Sequence, residues 1–321
     1  MPAAGVLVAG LLWLVTGWSI LGMPPAFAGE KEWKEHMDAG MASVNTGDYR
    51  GAGIRFEAAV REANSSFGSQ DPRYAISLYR LAVSYHQQGR YADAEPRYKE
   101  AIALTAKIHG EQHPYLAIQL NDFAMMYMEQ GQHAYAEPAL KRLLSVQEKA
   151  LGPDHVAVAT TLNNLGELYR EQGRNVLAIP LYQRALAINE LKLGPNHPSV
   201  ATLLNNLALA YVAQSRYFEA EPLYQRSIMI REQAFGSDHP RVATVLHNLA
   251  DLYRLQNRYA EAEPLYMRAI GIIEKALGPR NPDLITMLGN LAKLYQGQDR
   301  NAEAEEILQR IKKVQQKPAG G

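Results

Sequence analysis

Residues 155–196 read HVAVATTLNNLGELYREQGRNVLAIPLYQRALAINELKLGPN, and this pattern returns every 42 residues along the chain. One short phrase marks the interval, and its copies are Asp71-Pro72, His113-Pro114, His155-Val156, His197-Pro198, His239-Pro240 and Asn281-Pro282. A fixed period of this size predicts a stack of similar supersecondary units, not one globular core. Such stacks build extended surfaces that hold partners.

Each unit has the pattern of two amphipathic helices. In residues 155–196, apolar residues recur at helical spacing from Thr161 to Tyr169 and define helix A. Gly173 then favours a helix C-terminus, and helix B follows as far as Gly194. Proline interrupts most B helices about five residues after their start, where we expect it to remove one backbone hydrogen bond and bend the helix.

Columns of small residues lie where helices A and B are expected to cross. In helix A they are Ala82, Ala124, Gly166, Ala208, Ala250 and Ala292. In helix B they are Ala94, Ala136, Ala178, Ala220, Ala262 and Ala304. Small side chains let two backbones approach closely, so we expect a larger side chain at Ala208 to overpack the crossing.

These columns resemble the signature of the tetratricopeptide repeat. The matching residues of one unit are Leu165, Gly166, Tyr169, Ala178, Tyr182 and Ala185. The 42-residue length, Leu-Asn-Asn-Leu at 162–165 and Leu-Gly-Pro-Asp-His at 151–155 are similar to the kinesin light chain version. The resemblance covers 71–321 and implies an all-α fold, a right-handed α-solenoid of stacked antiparallel helix pairs.

The period also divides the chain into segments. Residues 29–70 keep only part of the pattern and are interpreted as a degenerate N-terminal cap. Six units follow, at 71–112, 113–154, 155–196, 197–238, 239–280 and 281–321. The last B helix ends in polar residues, as a C-terminal cap requires.

The N-terminal residues differ from the repeats. No charged side chain precedes Glu30, a long apolar run covers 6–20, and Ala26-Phe27-Ala28 is a cleavage-like sequence. Residues 1–28 are therefore interpreted as a signal peptide of an exported protein, periplasmic or extracellular. The alternative is a retained membrane anchor over 5–23, although the usual basic residue before the apolar run is missing.

Composition excludes several classes of function. The chain has 33 basic and 33 acidic residues, so nothing indicates a nucleic-acid partner. It has no cysteine, which removes disulfides, thiolate nucleophiles and cysteine-ligated metals. No phosphate-binding loop, nucleophile elbow or H-E-x-x-H sequence occurs. We therefore expect no enzyme activity, no cofactor and no metal.

The repeated histidines do not change this view. His113, His155, His197 and His239 stand once per unit, so a whole helix pair separates each from the next. A stack does not bring such residues to one ion, and we interpret them as loop-packing residues and weak helix caps.

The resemblance also implies that the A helices line a concave groove for extended peptides. Three helix A columns would face it, and they vary between units where stacking alone demands no variation. The candidate groove residues are Asn121, Met125, Met128, Asn163, Glu167, Arg170, Asn205, Leu209, His247, Asp251 and Arg254. Asparagine amides would hold a peptide backbone, and arginines its carboxylates.

A structural interpretation competes with the groove. Glu167 with Arg170, and Asp251 with Arg254, are also spaced as i,i+3 ion pairs on a solvated helix face. The second asparagine column is interpreted as structural, with its amides bridging neighbouring units. Its members are Asn164, Asn206, Asn248 and Asn290.

Three functions remain. The first is a non-enzymatic scaffold that binds a protein or peptide in the groove. The second is a membrane-tethered or self-associating assembly scaffold that uses the convex face and the termini, with membrane contact only if 5–23 is retained. The third is an enzyme or its accessory domain. Motor transport is not expected, because the chain lacks a heptad region and begins with the export-like segment.

Overall fold

The computed structural model describes residues 28–315, and its regular structure is entirely α-helical in that range. The helices are α1 (Ala28–Asn45), α2 (Tyr49–Phe67), α3 (Pro72–Gln87), α4 (Tyr91–His109), α5 (Pro114–Glu129), α6 (His133–Leu151), α7 (Val156–Glu171), α8 (Asn175–Leu193), α9 (Pro198–Val212), α10 (Tyr217–Phe235), α11 (Pro240–Leu255), α12 (Tyr259–Leu277), α13 (Asp283–Gly297) and α14 (Asn301–Gln315). The predicted all-α solenoid of paired helices is confirmed.

The predicted signal peptide and the alternative anchor lie outside the described residues, apart from Ala28. Within residues 28–315, no helix is both long and apolar enough to cross a membrane. The chain divides after Ile108 into two compact units. Helices α1 to α4 lie in the first, apart from the last residue of α4, and α5 to α14 lie in the second.

In the second unit, odd-numbered helices are A helices and even-numbered helices are B helices. Each A helix packs on the B helix that follows it, and each B helix then packs on the next A helix. The crossings are made by small residues, since Ala124, Ala136, Ala208 and Ala220 are all fully buried. At Gly166 the two helices are too close even for a methyl group, because a Cβ there would lie 2.6 Å from the ring of Tyr182.

Histidine begins most A helices of the second unit as an N-cap. The Nδ1 atoms of His113, His155, His197 and His239 accept the backbone N–H two residues later, at 3.2, 3.1, 3.2 and 3.1 Å. Asn281 Oδ1 does the same for Asp283 at 2.8 Å. The capping atom must be unprotonated to accept, which requires a neutral imidazole. The prediction that these histidines act as helix caps is confirmed, and each cap satisfies one free N–H of its helix.

The turn from helix A to helix B needs one residue in the left-handed region. Gly131 and Gly173 supply it, with φ of 66° and 71°. In the next three repeats the position is taken by Ser215, Asn257 and Asp299, with φ of 58°, 60° and 60°. A side chain there meets a steric cost that glycine avoids.

Proline lies inside α6, α8, α10 and α12, yet each of these helices is continuous and 19 residues long. All four prolines are exposed, and so is the residue four positions before each one. In α8, Pro180 frees the carbonyl of Val176, whose side chain is 76% exposed. Water can satisfy such a carbonyl, which explains why the lost hydrogen bond is tolerated.

Neighbouring repeats are joined by a repeated polar contact on the B helices. Glu137 of α6 accepts from Tyr169 Oη at 2.8 Å and from Arg174 Nη1 at 3.0 Å, both from the next repeat. Arg174 also covers the Tyr169 ring at 4.5 Å. Hydrogen bonds from Lys141, Tyr169 and Arg174 hold the pKa of Glu137 at about 2. The same contact recurs at Glu221 and at Glu263.

Candidate functional site

The candidate groove residues all belong to the A helices of the second unit, which we call the A-helix face. Successive members of this row, α7 with α9, α9 with α11 and α11 with α13, contact one another. Of the eleven candidates, Asn205 is buried and the other ten are half-buried. The face is therefore neither closed core nor freely solvated surface.

An amide ladder runs across this face. Asn206 Nδ2 donates to Asn163 Oδ1 at 2.9 Å, and Asn248 Nδ2 donates to Asn205 Oδ1 at 2.8 Å. Asn290 Nδ2 continues it by contacting His247 Nε2 at 3.3 Å. The prediction that the second asparagine column bridges repeats is confirmed. Its acceptors in the middle rungs are the asparagines that we expected to hold a ligand, so their carbonyl oxygens already have a partner.

The first rung is different. Asn121 stands at the acceptor position 43 residues earlier, but Asn164 does not donate to it and instead reaches Met125 Sδ at 4.0 Å. Asn121 donates within its own helix, to Asp122 Oδ1 at 3.3 Å. The ladder of amide-to-amide bonds therefore begins between α7 and α9.

The two acid–arginine sets predicted at the same spacing differ in the structure. Arg254 Nη2 and Nε donate to Asp251 Oδ1 at 2.7 and 2.9 Å, and Tyr266 Oη donates to the same oxygen at 3.1 Å. Glu167 forms neither a hydrogen bond nor an ion pair with any of residues 28–315, Arg170 included. The i,i+3 interpretation thus holds for Asp251 only.

One tyrosine hydroxyl of a B helix, that of Tyr266, donates to Asp251 on the A-helix face, a contact that the sequence interpretation missed. Tyr182, Tyr224 and Tyr266 are at most 1% exposed, and burial raises the pKa of each. The charge of Asp251 raises the pKa of Tyr224 further, and the charge of Arg170 lowers it. The only sequence signal was the choice of Tyr over Phe at positions that otherwise appear apolar.

His247 lies over Tyr266, with ring centroids 5.4 Å apart, and lines a surface cavity of about 380 Å³ between α11 and α13. Thr244, Thr286 and Met287 also line it. Burial lowers the pKa of His247, and its Nδ1 has no hydrogen-bond partner. The exposed threonines of the A helices are further surface residues that the prediction omitted.

Three candidates contribute apolar surface. Met125, Met128 and Leu209 are half-buried, and methionine side chains adapt readily to irregular partners. Among the described residues, no three His, Cys, Asp or Glu side chains are placed to hold a metal ion. The arrangement can offer hydrogen bonds, charge and apolar contact.

A model of the tetratricopeptide repeat matches this chain over 36–107, 73–127, 114–191, 166–228, 199–275 and 258–317. The chain belongs to the tetratricopeptide repeat family. Its repeats are of the kinesin light chain type. Repeats of this family commonly build protein-interaction scaffolds. No curated protein matched the chain.

Solved structures of this family share the fold. The kinesin light chain repeats of Podosopora anserina are 23% identical, with a TM-score of 0.57, covering 65% of this chain and 98% of that one. BtubC (BKLC) of P. vanneervenii is 22% identical, with a TM-score of 0.57 and coverage of 77% and 95%. A tetratricopeptide repeat protein of Parabacteroides merdae is 18% identical, with a TM-score of 0.60 and coverage of 90% and 95%.

Proposed function

We propose that this tetratricopeptide repeat protein is a non-enzymatic scaffold that binds an extended peptide or protein segment on the A-helix face. One observation carries the proposal: half-buried side chains vary from repeat to repeat over a framework that does not. At one helix A position the successive residues are Met125, Glu167, Leu209 and Asp251. Stacking requires no such change, whereas selective recognition does.

Selection of binders from a random 12-residue peptide library tests the proposal, with the full chain as the target. Met128→Asp with Leu209→Asp should abolish binding of the selected peptides, because it places two charges on the apolar part of the face. Met229→Asp is the matched control, since Met229 is 61% exposed on the B helix α10. The proposal fails if no peptide is selected, or if the groove variant folds and still binds every peptide.

A second candidate is self-association, favoured by apolar residues in the first turn of the B helices. Phe218 is 90% exposed and Val176, its equivalent one repeat earlier, is 76% exposed. Isolated apolar residues are ordinary on a surface, but two at equivalent positions of neighbouring repeats offer a repeated apolar surface for a second copy of the chain. Phe218→Glu should convert any oligomer to monomer in analytical ultracentrifugation. A wild-type chain that sediments as a monomer at high concentration would remove this candidate.

We also propose that the protein is exported, with residues 1–28 removed. The support is the uncharged apolar run and the Ala26-Phe27-Ala28 sequence. Mass spectrometry of the mature chain distinguishes the alternatives: a chain that begins at Gly29 supports cleavage, and one that retains 5–23 supports an anchor.

A further inference from the structure

Arg231 of α10 is a buried cation without an acidic partner. It is 8% exposed, and its Nη1 donates to the backbone oxygen of Arg241 at 2.6 Å. No acidic side chain of residues 28–315 forms an ion pair with it. Arg226 of the same helix, by contrast, pairs with Glu190 at 2.6 Å. Because a backbone carbonyl offsets only part of the cost of burying a guanidinium, the charge of Arg231 is left largely uncompensated.

The free edge of this guanidinium reaches the surface. Nε and Nη2 of Arg231 form no hydrogen bond with residues 28–315. Neither nitrogen belongs to the fully enclosed side-chain atoms that lack a partner, so the residual exposure of Arg231 includes both. These two N–H groups point the same way and match the two oxygens of a carboxylate.

The repeat places Arg231 between neighbouring A helices. Forty-two residues later the equivalent residue is Ile273, which lines the surface cavity between α11 and α13 together with Arg241. Arg231 holds the same position one repeat earlier, and its bond to Arg241 joins it to α11. It therefore lies where α10 meets the A-helix face between α9 and α11.

Arg241 adds a second positive charge at this junction. Its guanidinium lies over the ring of Phe235 at 4.9 Å, and Phe235 follows Arg231 by one turn of α10. Arg241 is exposed and forms no ion pair with residues 28–315. Burial and the charge of Arg241 lower the pKa of Arg231 to about 10, so both groups are cations at neutral pH. Two cations without a carboxylate attract an anion.

The position of Arg231 varies between repeats. From α6 to α12 its residues are Gln147, Asn189, Arg231 and Ile273. Neutral amides and an aliphatic side chain serve the same packing, so stacking does not require a cation in α10. Arg254, which the resemblance implied as a carboxylate ligand, is already paired with Asp251. Arg231 has no such internal anion.

We propose that Arg231, with Arg241 beside it, binds the carboxylate of an aspartate or glutamate side chain in the segment held on the A-helix face. The Nε and Nη2 edge of Arg231 donates two parallel hydrogen bonds to the carboxylate oxygens, and Arg241 adds charge at the surface. This inference rests on the proposed peptide-binding function and adds the chemistry of one ligand residue. The arginine comes from a B helix, whereas the resemblance implied arginines of the A helices.

The test uses the 12-residue peptides selected on the full chain, synthesised with amidated C-termini so that side chains carry their only carboxylates. They should be enriched in Asp or Glu, and Arg231→Met should weaken the tightest peptide by about tenfold or more. The matched control is Arg226→Met on the same helix, which should weaken it less because Arg226 already has a partner.

A change in the peptide tests the same contact from the other side. Replacing its acidic residue with the corresponding amide should weaken binding to the wild type and cause no further loss with Arg231→Met. Because this arm needs only the wild-type chain to detect the carboxylate, it remains decisive if Arg231→Met does not fold.

The outcomes separate the two proposals. If no peptide is selected, the binding function fails and this inference with it. If peptides bind on the A-helix face but carry no acidic residue, or bind equally well as amides, the inference alone is wrong. It is also wrong if Arg231→Met, with an unchanged circular dichroism melt, binds the peptides as tightly as the wild type.

Discussion

Asn248 Nδ2 of α11 donates to Asn205 Oδ1 of α9 at 2.8 Å, and the two residues are 43 positions apart in the sequence. Asn206 and Asn163 repeat it one unit earlier. The bonds connect A helices directly, in addition to the apolar contacts that A and B helices share. Loss of these hydrogen bonds should therefore weaken the coupling between neighbouring repeats.

We expect Asn206→Ala to lower the free energy of unfolding by about 1 kcal/mol, because it leaves Asn163 Oδ1 without its donor. Urea denaturation followed by circular dichroism measures the change. Thr202→Ala is the control, since Thr202 is exposed on the same helix and bonds only to its own backbone. An equal loss of unfolding free energy in the two variants would show that the amide ladder does not stabilise the protein.

Ser215→Gly should stabilise the protein by about 1 kcal/mol. Ser215 has φ of 58°, which costs free energy for a residue with a Cβ and almost none for glycine. The reciprocal change, Gly173→Ser at φ of 71°, should destabilise by a similar amount. Shifts of the denaturation midpoint in the same direction for both variants would argue against this explanation.

Stability should fall as the pH is lowered below about 6.5, partly because of His113. Burial lowers the pKa of His113, and the charge of His109, stacked 4.5 Å away, lowers it further. A lowered folded-state pKa means that the stabilisation is complete above the unfolded value and is lost as the pH falls through the folded value. Protonation also removes the acceptor that caps α5.

The measurement for His113 is the melting temperature between pH 5 and 8. His113→Asn keeps a capping side chain without a titrating group, so its profile should be flatter than that of the wild type. Parallel profiles would assign the pH dependence to other groups.

Ala208→Leu should cost roughly 1–3 kcal/mol, because Ala208 is fully buried at the crossing of α9 and α10. Ala187→Leu, at an exposed position of α8, should be close to neutral. Thermal melts of the two variants provide the comparison. An unchanged melt for Ala208→Leu would refute close packing at this crossing.

The 42-residue period predicted a stack of similar units, the apolar spacing within a unit predicted the helix pair, and the resemblance to the tetratricopeptide repeat implied the solenoid. The repeated asparagine column also predicted that Asn206 and Asn248 bridge repeats. It did not predict their acceptors, since Asn163 and Asn205 are equally suited to face a ligand. Whether these asparagines bond to the next repeat or face a ligand depends on how far one A helix is displaced along its neighbour. Residue spacing gives no information on that displacement.

The same limit explains the missed tyrosines. Apolar spacing assigns Tyr182 to the core, and its ring is indeed buried there. How closely the ring packs on helix A depends on the residue at the helix crossing, and Gly166 leaves room there that a Cβ would fill. The unequal pairing of Glu167 and Asp251 likewise arises from side-chain positions that their identical spacing to arginine does not reveal.

The amide ladder has one further consequence, for how such a chain can change in length. Between α7 and α9 and between α9 and α11, the donor lies 43 residues after its acceptor, so the same pair of positions forms the bond at both junctions. An in-frame duplication or loss of 42 residues within 155–280 joins a new donor to a new acceptor. The gene can therefore gain or lose whole units there, and the asparagine donor at the new junction still finds an acceptor.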